Sequence, residues 1–187
     1  MMPARKPLHG VRVAMLVADG FEQRELVKPR DALLRAGAAT ALVSAVKRRV
    51  RGWNGDEPGD AFDVEVSLPD ADPSDFDALL LPGGVRSSDA LRIENKAVLF
   101  AHALQVAQKP IAAIGHGPWL LIETGFVRGR RLTSWPSLRT DTLNGGGNWV
   151  DEAVVRDGLL LTSRMPTDLP RFTKALIDAF APRTADV

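Results

Sequence analysis

The chain has 187 residues, a length that suits one domain with a real core. Its formal net charge of +1 gives no global field toward nucleic acid or an acidic membrane surface. It contains no cysteine, which excludes disulfides, thiolate metal sites and thiol catalysis together.

Residues 1–10 carry Arg5 and Lys6 but no apolar stretch of the kind a signal peptide needs, so a cytoplasmic location is the expectation. Val11 to Ala18 is apolar almost throughout and predicts a strand buried on both faces. Asp19-Gly20 turns the chain, with Glu22 and Glu25 on the following loop or first turn. Leu26 to Ala36 predicts a helix, with Pro29 tolerated early and Gly37 as its stop. Thr40 to Val46 predicts a second strand, so the chain opens as a βαβ unit with a parallel sheet. The basic cluster Lys47, Arg48, Arg49 and Arg51 is a solvated turn or an anion-binding patch. Val50 to Trp53 is expected to pair with Phe62 to Val66 as a small antiparallel hairpin, and Pro69 to Asp77 to form a loop. Ala78 to Leu81 predicts another buried strand, ended by Pro82-Gly83-Gly84. Ser88 or Asp89 is expected to cap a helix over Ala90 to Gln108, with Val98, Ala101, Leu104 and Val106 facing inward.

Ile111 to Ile114 is too short for a helix and predicts a strand. Gly115, His116 and Gly117 break that run, and Pro118 then opens a helix to Thr124, where its missing N–H does no harm. Ala113 and Gly117, two residues either side of Gly115, supply the small neighbours that a nucleophile elbow needs. The residue at the tip is glycine and has no side chain to react. Farther on, Leu132 to Trp135 predicts a short strand and Leu138 to Leu143 a helical turn. Ala153 to Val155 and Leu159 to Ser163 predict a hairpin about Asp157-Gly158. Thr167 or Asp168 starts a last helix that reaches about Ala181. The expected architecture is a single α/β domain over 1–187, with 1–10 and 182–187 as peripheral tails.

The stretch Ala113-Ile114-Gly115-His116-Gly117-Pro118 resembles the PfpI family of the class I glutamine-amidotransferase-like superfamily, whose motif runs Ala-Ile-Cys-His-Gly-Pro. Four further stretches resemble family stretches in the same order. They are Ala18 to Leu26, Leu81 to Gly84, Arg130 to Ser137, and Trp149 to Asp151. The resemblance implies a flavodoxin-like three-layer α/β sandwich, with a mainly parallel central sheet, helices on both faces and small antiparallel hairpins. It also implies a cysteine-dependent stress-associated peptidase, glyoxalase or deglycase, and this chain has Gly115 where the cysteine belongs.

By the same resemblance, Glu25 matches the carboxylate beside the cysteine and Glu22 a nearby acid. The amides of Gly84 and His116 match the oxyanion donors, and Asp89 matches an acid that reaches the histidine of a neighbouring subunit. From spacing alone, Glu22 and Glu25 are equally first-turn acids of a helix, Asp89 a cap, and His116 a hydrogen-bonded structural histidine. Ser87, Ser88 and Ser134 are the nearest alternative hydroxyl nucleophiles by motif context. Three functional readings stay open. One is a retained enzyme that would need a nucleophile other than a thiol, although none of those hydroxyls sits at the elbow. The second is a natural non-enzyme, a stress-associated binding or structural protein that keeps the pocket without thiol chemistry. The third is a cysteine-to-glycine variant of an active enzyme. The expected partners are a second copy of the chain, in a homodimer or larger homo-oligomer, and a small carbonyl compound or anion. Neither cofactor, metal, nucleic acid nor membrane is expected. Burial is expected to make Glu25 hold its proton more tightly than a free carboxyl does.

Overall fold

The computed structural model describes residues 6–182. Five short runs of apolar residues build the middle of the molecule, in chain order. Strand β1 (Arg12–Leu16) leads through a turn to β2 (Phe21–Glu22), helix α1 (Gln23–Arg35) and β3 (Ala39–Ser44). The hairpin β4 (Arg49–Asn54) and β5 (Glu57–Asp63) follows, then β6 (Val66–Ser67) and β7 (Ala78–Leu81). Helices α2 (Val85–Ile93) and α3 (Asn95–Val106) precede β8 (Ile111–Ile114) and α4 (Pro118–Glu123). The remaining elements are β9 (Arg131–Leu132), α5 (Arg139–Asn144), β10 (Asn148–Trp149), β11 (Val154–Asp157), β12 (Leu160–Ser163) and α6 (Leu169–Phe180).

The central sheet has seven strands in the order β11-β12-β8-β7-β1-β3-β6. Every neighbouring pair is parallel except β11 with β12. Its central strands are buried on both faces, and alternate residues feed two separate cores. Val13, Met15, Leu80 and Ile114 pack with Leu26 and Leu33 of α1 and Phe172 and Leu176 of α6. Ala14, Leu16, Leu81 and Ala113 pack with Leu91 of α2, Phe100 and Leu104 of α3 and Leu120 of α4. The sheet is thus sandwiched between helices on both faces, the expected three-layer α/β architecture.

Several local expectations shift. α1 begins at Gln23, so Glu25 belongs to the helix, and Pro29 is its seventh residue rather than an early one. Pro29 removes an N–H that would bond back to the carbonyl of Glu25, and the helix continues because its apolar face is buried. The helix expected from Ala90 to Gln108 is two. The backbone extends at Glu94, whose carboxylate accepts from the Lys96 N–H at 3.1 Å. The cap of α2 is Gly84, so Ser88 and Asp89 lie inside that helix. Val106 faces outward at 68% exposure. The strand expected over Leu132 to Trp135 stops at Leu132 because the chain is drawn off, the Trp135 N–H donating to the Gly115 carbonyl at 2.8 Å. Val66 leaves the β4–β5 hairpin and pairs with Val43 in the main sheet. Of the expected tails, 1–5 and 183–187 lie outside the described residues. Leu8 is fully buried, and its N–H donates to the Ala36 carbonyl at 3.0 Å.

Candidate active site

The carboxyl ends of β1, β7 and β8 meet at one cleft of about 700 Å³. This is where an open parallel sheet places a ligand, because adjacent loops diverge there. β8 delivers Gly115 and His116, β7 delivers Gly83 and Gly84, and the segment after β1 delivers Glu22 and Glu25.

Gly115 adopts φ +62°, in the left-handed region that side chains rarely tolerate. Its N–H donates to the Ser163 carbonyl at 3.1 Å, so β12 pins the turn from below. A Cβ at this position would stand 2.8 Å from Glu25 Oε2 and 3.0 Å from Oε1. Glu25 is 2% exposed, and its Oε2 accepts from the Gly83 N–H at 2.8 Å. Burial pushes its pKa up to about 8. The Gly83 hydrogen bond works against that rise, and the Glu22 charge adds to it. At neutral pH Glu25 therefore carries a proton. Glu22 is only half-buried and accepts from the Gly55 N–H at 3.1 Å, which ties the β4–β5 turn to the cleft.

His116 sits between two indoles, 5.3 Å from Trp119 and stacked at 5.9 Å on Trp135. Desolvation lowers its pKa to about 4, so the imidazole is neutral near pH 7. Its Nε2 lies 3.4 Å from the hydroxyl of Ser137. Among the hydrogen bonds of the described residues, neither the Gly84 nor the His116 backbone N–H donates to another protein group. Two uncommitted amides beside a protonated carboxylic acid make a cluster of donors suited to an electron-rich oxygen.

The structure does not bring every candidate here. Ser87 accepts from the Ala18 N–H, Ser88 is buried within α2, and Ser134 accepts from the Trp149 indole N–H. None of the three lines the cleft, whose hydroxyl is that of Ser137. The long separation from a weakly basic imidazole gives Ser137 little activation as a nucleophile. Asp89 is exposed on α2 and does not line the cleft. Trp53, Arg86, Trp135, Ser137 and Pro166 are wall residues not singled out from spacing. Trp53 was the one with a signal, a lone indole inside a glycine-rich excursion. In the basic cluster, Arg49 pairs with Asp63 at 3.1 Å and Arg51 donates to the Gly59 carbonyl at 2.9 Å, so both brace the hairpin. Among the described residues, no group of three His, Asp or Glu is placed to hold a metal, and no helix is long and apolar enough to cross a membrane.

Fold and site together are those of a mainly parallel three-layer α/β sandwich with a sharp strand–turn–helix elbow over a buried acid. Residues 11–179 match the DJ-1/PfpI family, and the chain belongs to it, with Gly115 in place of the motif cysteine. A deglycase of Pyrococcus abyssi is 40% identical over 159 residues, spanning 85% of this chain and 93% of the relative. The protein/nucleic acid deglycase 2 of Escherichia coli is 38% identical over 165 residues, spanning 87% of this chain and 94% of its own. Among solved structures, DJ-1beta of Drosophila melanogaster superposes with a TM-score of 0.81 at 28% identity, covering 92% of this chain and 91% of its own.

Proposed function

We propose that this protein is a PfpI-type cleft without thiol chemistry, which binds a small carbonyl compound reversibly and does not carry it through a covalent sulfur adduct. One observation carries the reading. The elbow tip is a glycine in a chain with no cysteine, and the Glu25 carboxyl stands 2.8 Å from where a side chain would begin. What surrounds that tip still favours a carbonyl oxygen. The Gly84 and His116 amides point no hydrogen bond elsewhere, and Glu25 supplies a third donor while it keeps its proton. Neutral His116 adds no charge that would demand an anion at the floor of the cleft.

Binding of dihydroxyacetone, followed by NMR line shifts of the Gly84 and His116 amides, tests this. Saturable shifts are expected, together with methylglyoxal consumption no faster than in buffer. Turnover above the buffer rate would show that a group other than a thiol carries the reaction, and unshifted amides would remove the carbonyl reading.

We also infer a homodimer with Asp89 near the partner's cleft. Asp89 is exposed and lies outside the cleft of its own chain, so it could contribute to a site only across an interface. Two-fold pairing is the commonest assembly. Light scattering that gives the monomer mass at every concentration would overturn this.

A further inference from the structure

We propose that Arg86, stacked on Trp53, is an anion subsite at the rim of the cleft, so that the ligand is a small carbonyl compound with a carboxylate or phosphate at its other end. This rests on the carbonyl-binding reading above. Arg86 is the second residue of α2, two past the Gly84 cap, and lines the same cleft as Gly115 and His116. Its guanidinium carbon lies 3.9 Å from the centroid of the Trp53 ring. Stacking of this kind fixes the plane of the guanidinium and leaves the edge of its N–H fork available. That fork matches a carboxylate or phosphate in bidentate fashion.

Three arginines, Arg49, Arg51 and Arg86, line one shallow pocket with Trp53 and the carboxylate Asp19. Arg49 is taken by Asp63 and Arg51 by the Gly59 carbonyl. Among the described residues, Arg86 has no carboxylate within ion-pair distance. The cleft's volume of about 700 Å³ falls in the range of pockets that take ligands well beyond a three-atom carbonyl unit. A ligand held at the elbow therefore has room to extend toward the rim. Two carboxylates, Glu22 and Asp56, also line the cleft and weaken the positive field there. Arg86 is moreover exposed, which places the expected preference at the modest end, about three- to tenfold.

The test measures affinities of the unmodified chain in matched pairs: dihydroxyacetone against dihydroxyacetone phosphate, and hydroxyacetone against pyruvate. The phosphate pair and the carboxylate pair report separately which anionic group the rim prefers, and a preference in either supports the subsite. In Arg86→Gln the preference should fall to about one, with the neutral ligand as internal reference. In Trp53→Leu it should fall part of the way, because the fork loses its platform. Higher salt should shrink the preference, as for any exposed charge pair. If the neutral ligands bind and the anionic ones bind no better, or if Arg86→Gln leaves the preference intact, the subsite is wrong and the carbonyl reading stands. If no member of either pair binds, both fall.

Discussion

Two strand ends at the same cleft carry glycines with positive φ, and they are glycine for different reasons. At the end of β7, Gly84 has φ +98°, and a Cβ there would stand 2.5 Å from the Gly20 carbonyl oxygen, 2.6 Å from the Glu22 nitrogen and 2.7 Å from the Phe21 Cα. All three are backbone atoms of the turn into β2, held in place by the Gly20 N–H bond to the Arg51 carbonyl and the Glu22 N–H bond to the Gly83 carbonyl, each 2.9 Å. At the end of β8, the nearest atoms to a Cβ on Gly115 are the carboxyl atoms of Glu25, the far end of a side chain. Gly84 is required by the fold, whereas Gly115 is a position where the fold can accept a side chain at a cost. The family resemblance says the same in another way, since its motif retains the glycine at the first position and has cysteine at the second.

The sharpest way to break this comparison is Gly84→Ala. Left-handed strain and backbone overlap each cost roughly 1–3 kcal/mol, so a loss of about 2–6 kcal/mol is expected. Urea unfolding measures it, and an alanine protein as stable as its parent would show that the turn into β2 yields.

Glu25→Gln is next in size. The folded pKa of Glu25 is raised to about 8 from 4.5, so between these values the folded state holds a proton that the unfolded state has lost. Stability therefore falls as pH rises through that window, by an amount on the order of a few kcal/mol. His116 works in the opposite sense. Its folded pKa is depressed to about 4 from 6.5, so its contribution is lost as pH falls through that range. The two slopes oppose each other below about pH 6.5, and the Glu25 slope stands alone from there to about pH 8. Glutamine keeps a carbonyl for the Gly83 N–H and cannot ionise. The variant should lose the decline above pH 6.5 and gain on the parent at pH 8. Denaturation midpoints at pH 5, 6.5 and 8 decide this, and an unchanged decline in the variant would mean that Glu25 is already ionised at neutral pH.

Gly115→Cys should cost less than Gly84→Ala. A non-glycine residue at this φ costs roughly 1–2 kcal/mol, and the loss of glycine's unfolded freedom returns about 0.5–1 kcal/mol. The net expectation is a destabilisation of up to about 1.5 kcal/mol, measured by thermal unfolding. The new thiolate would have the Glu25 acid proton within reach, which stabilises the anion and lowers the thiol pKa below its free value of about 8.5. Iodoacetamide rates against pH should show this, and adding Glu25→Leu should reverse it. A thiol that reacts like a free one would sink the elbow assignment. The smallest effect is expected from Ser137→Ala, within about 0.5 kcal/mol, because its contact with His116 is long and replaceable by water.

What the sequence by itself determined is whatever short-range chemistry controls. Ala78 to Leu81 and Ile111 to Ile114 are continuous apolar runs closed by glycine or proline, and no partner is needed to read them as buried strands. The turn at Gly115, the proline that opens α4 and the absence of any thiol were equally legible. Where the sequence reading slipped, a longer-range bond had won. Trp135 leaves its strand to reach Gly115, and Glu94 splits a helix that periodicity alone would have run through. The protonated state of Glu25 was decided only by the tertiary structure, because burial against β7 and a hydrogen bond from a residue 58 positions away set it together. The walls of the cleft were decided there too. Trp53, Arg86 and Ser137 come from a hairpin, a helix start and a 3-10 turn, and local patterns carry no information about which distant surfaces the packed sheet brings face to face.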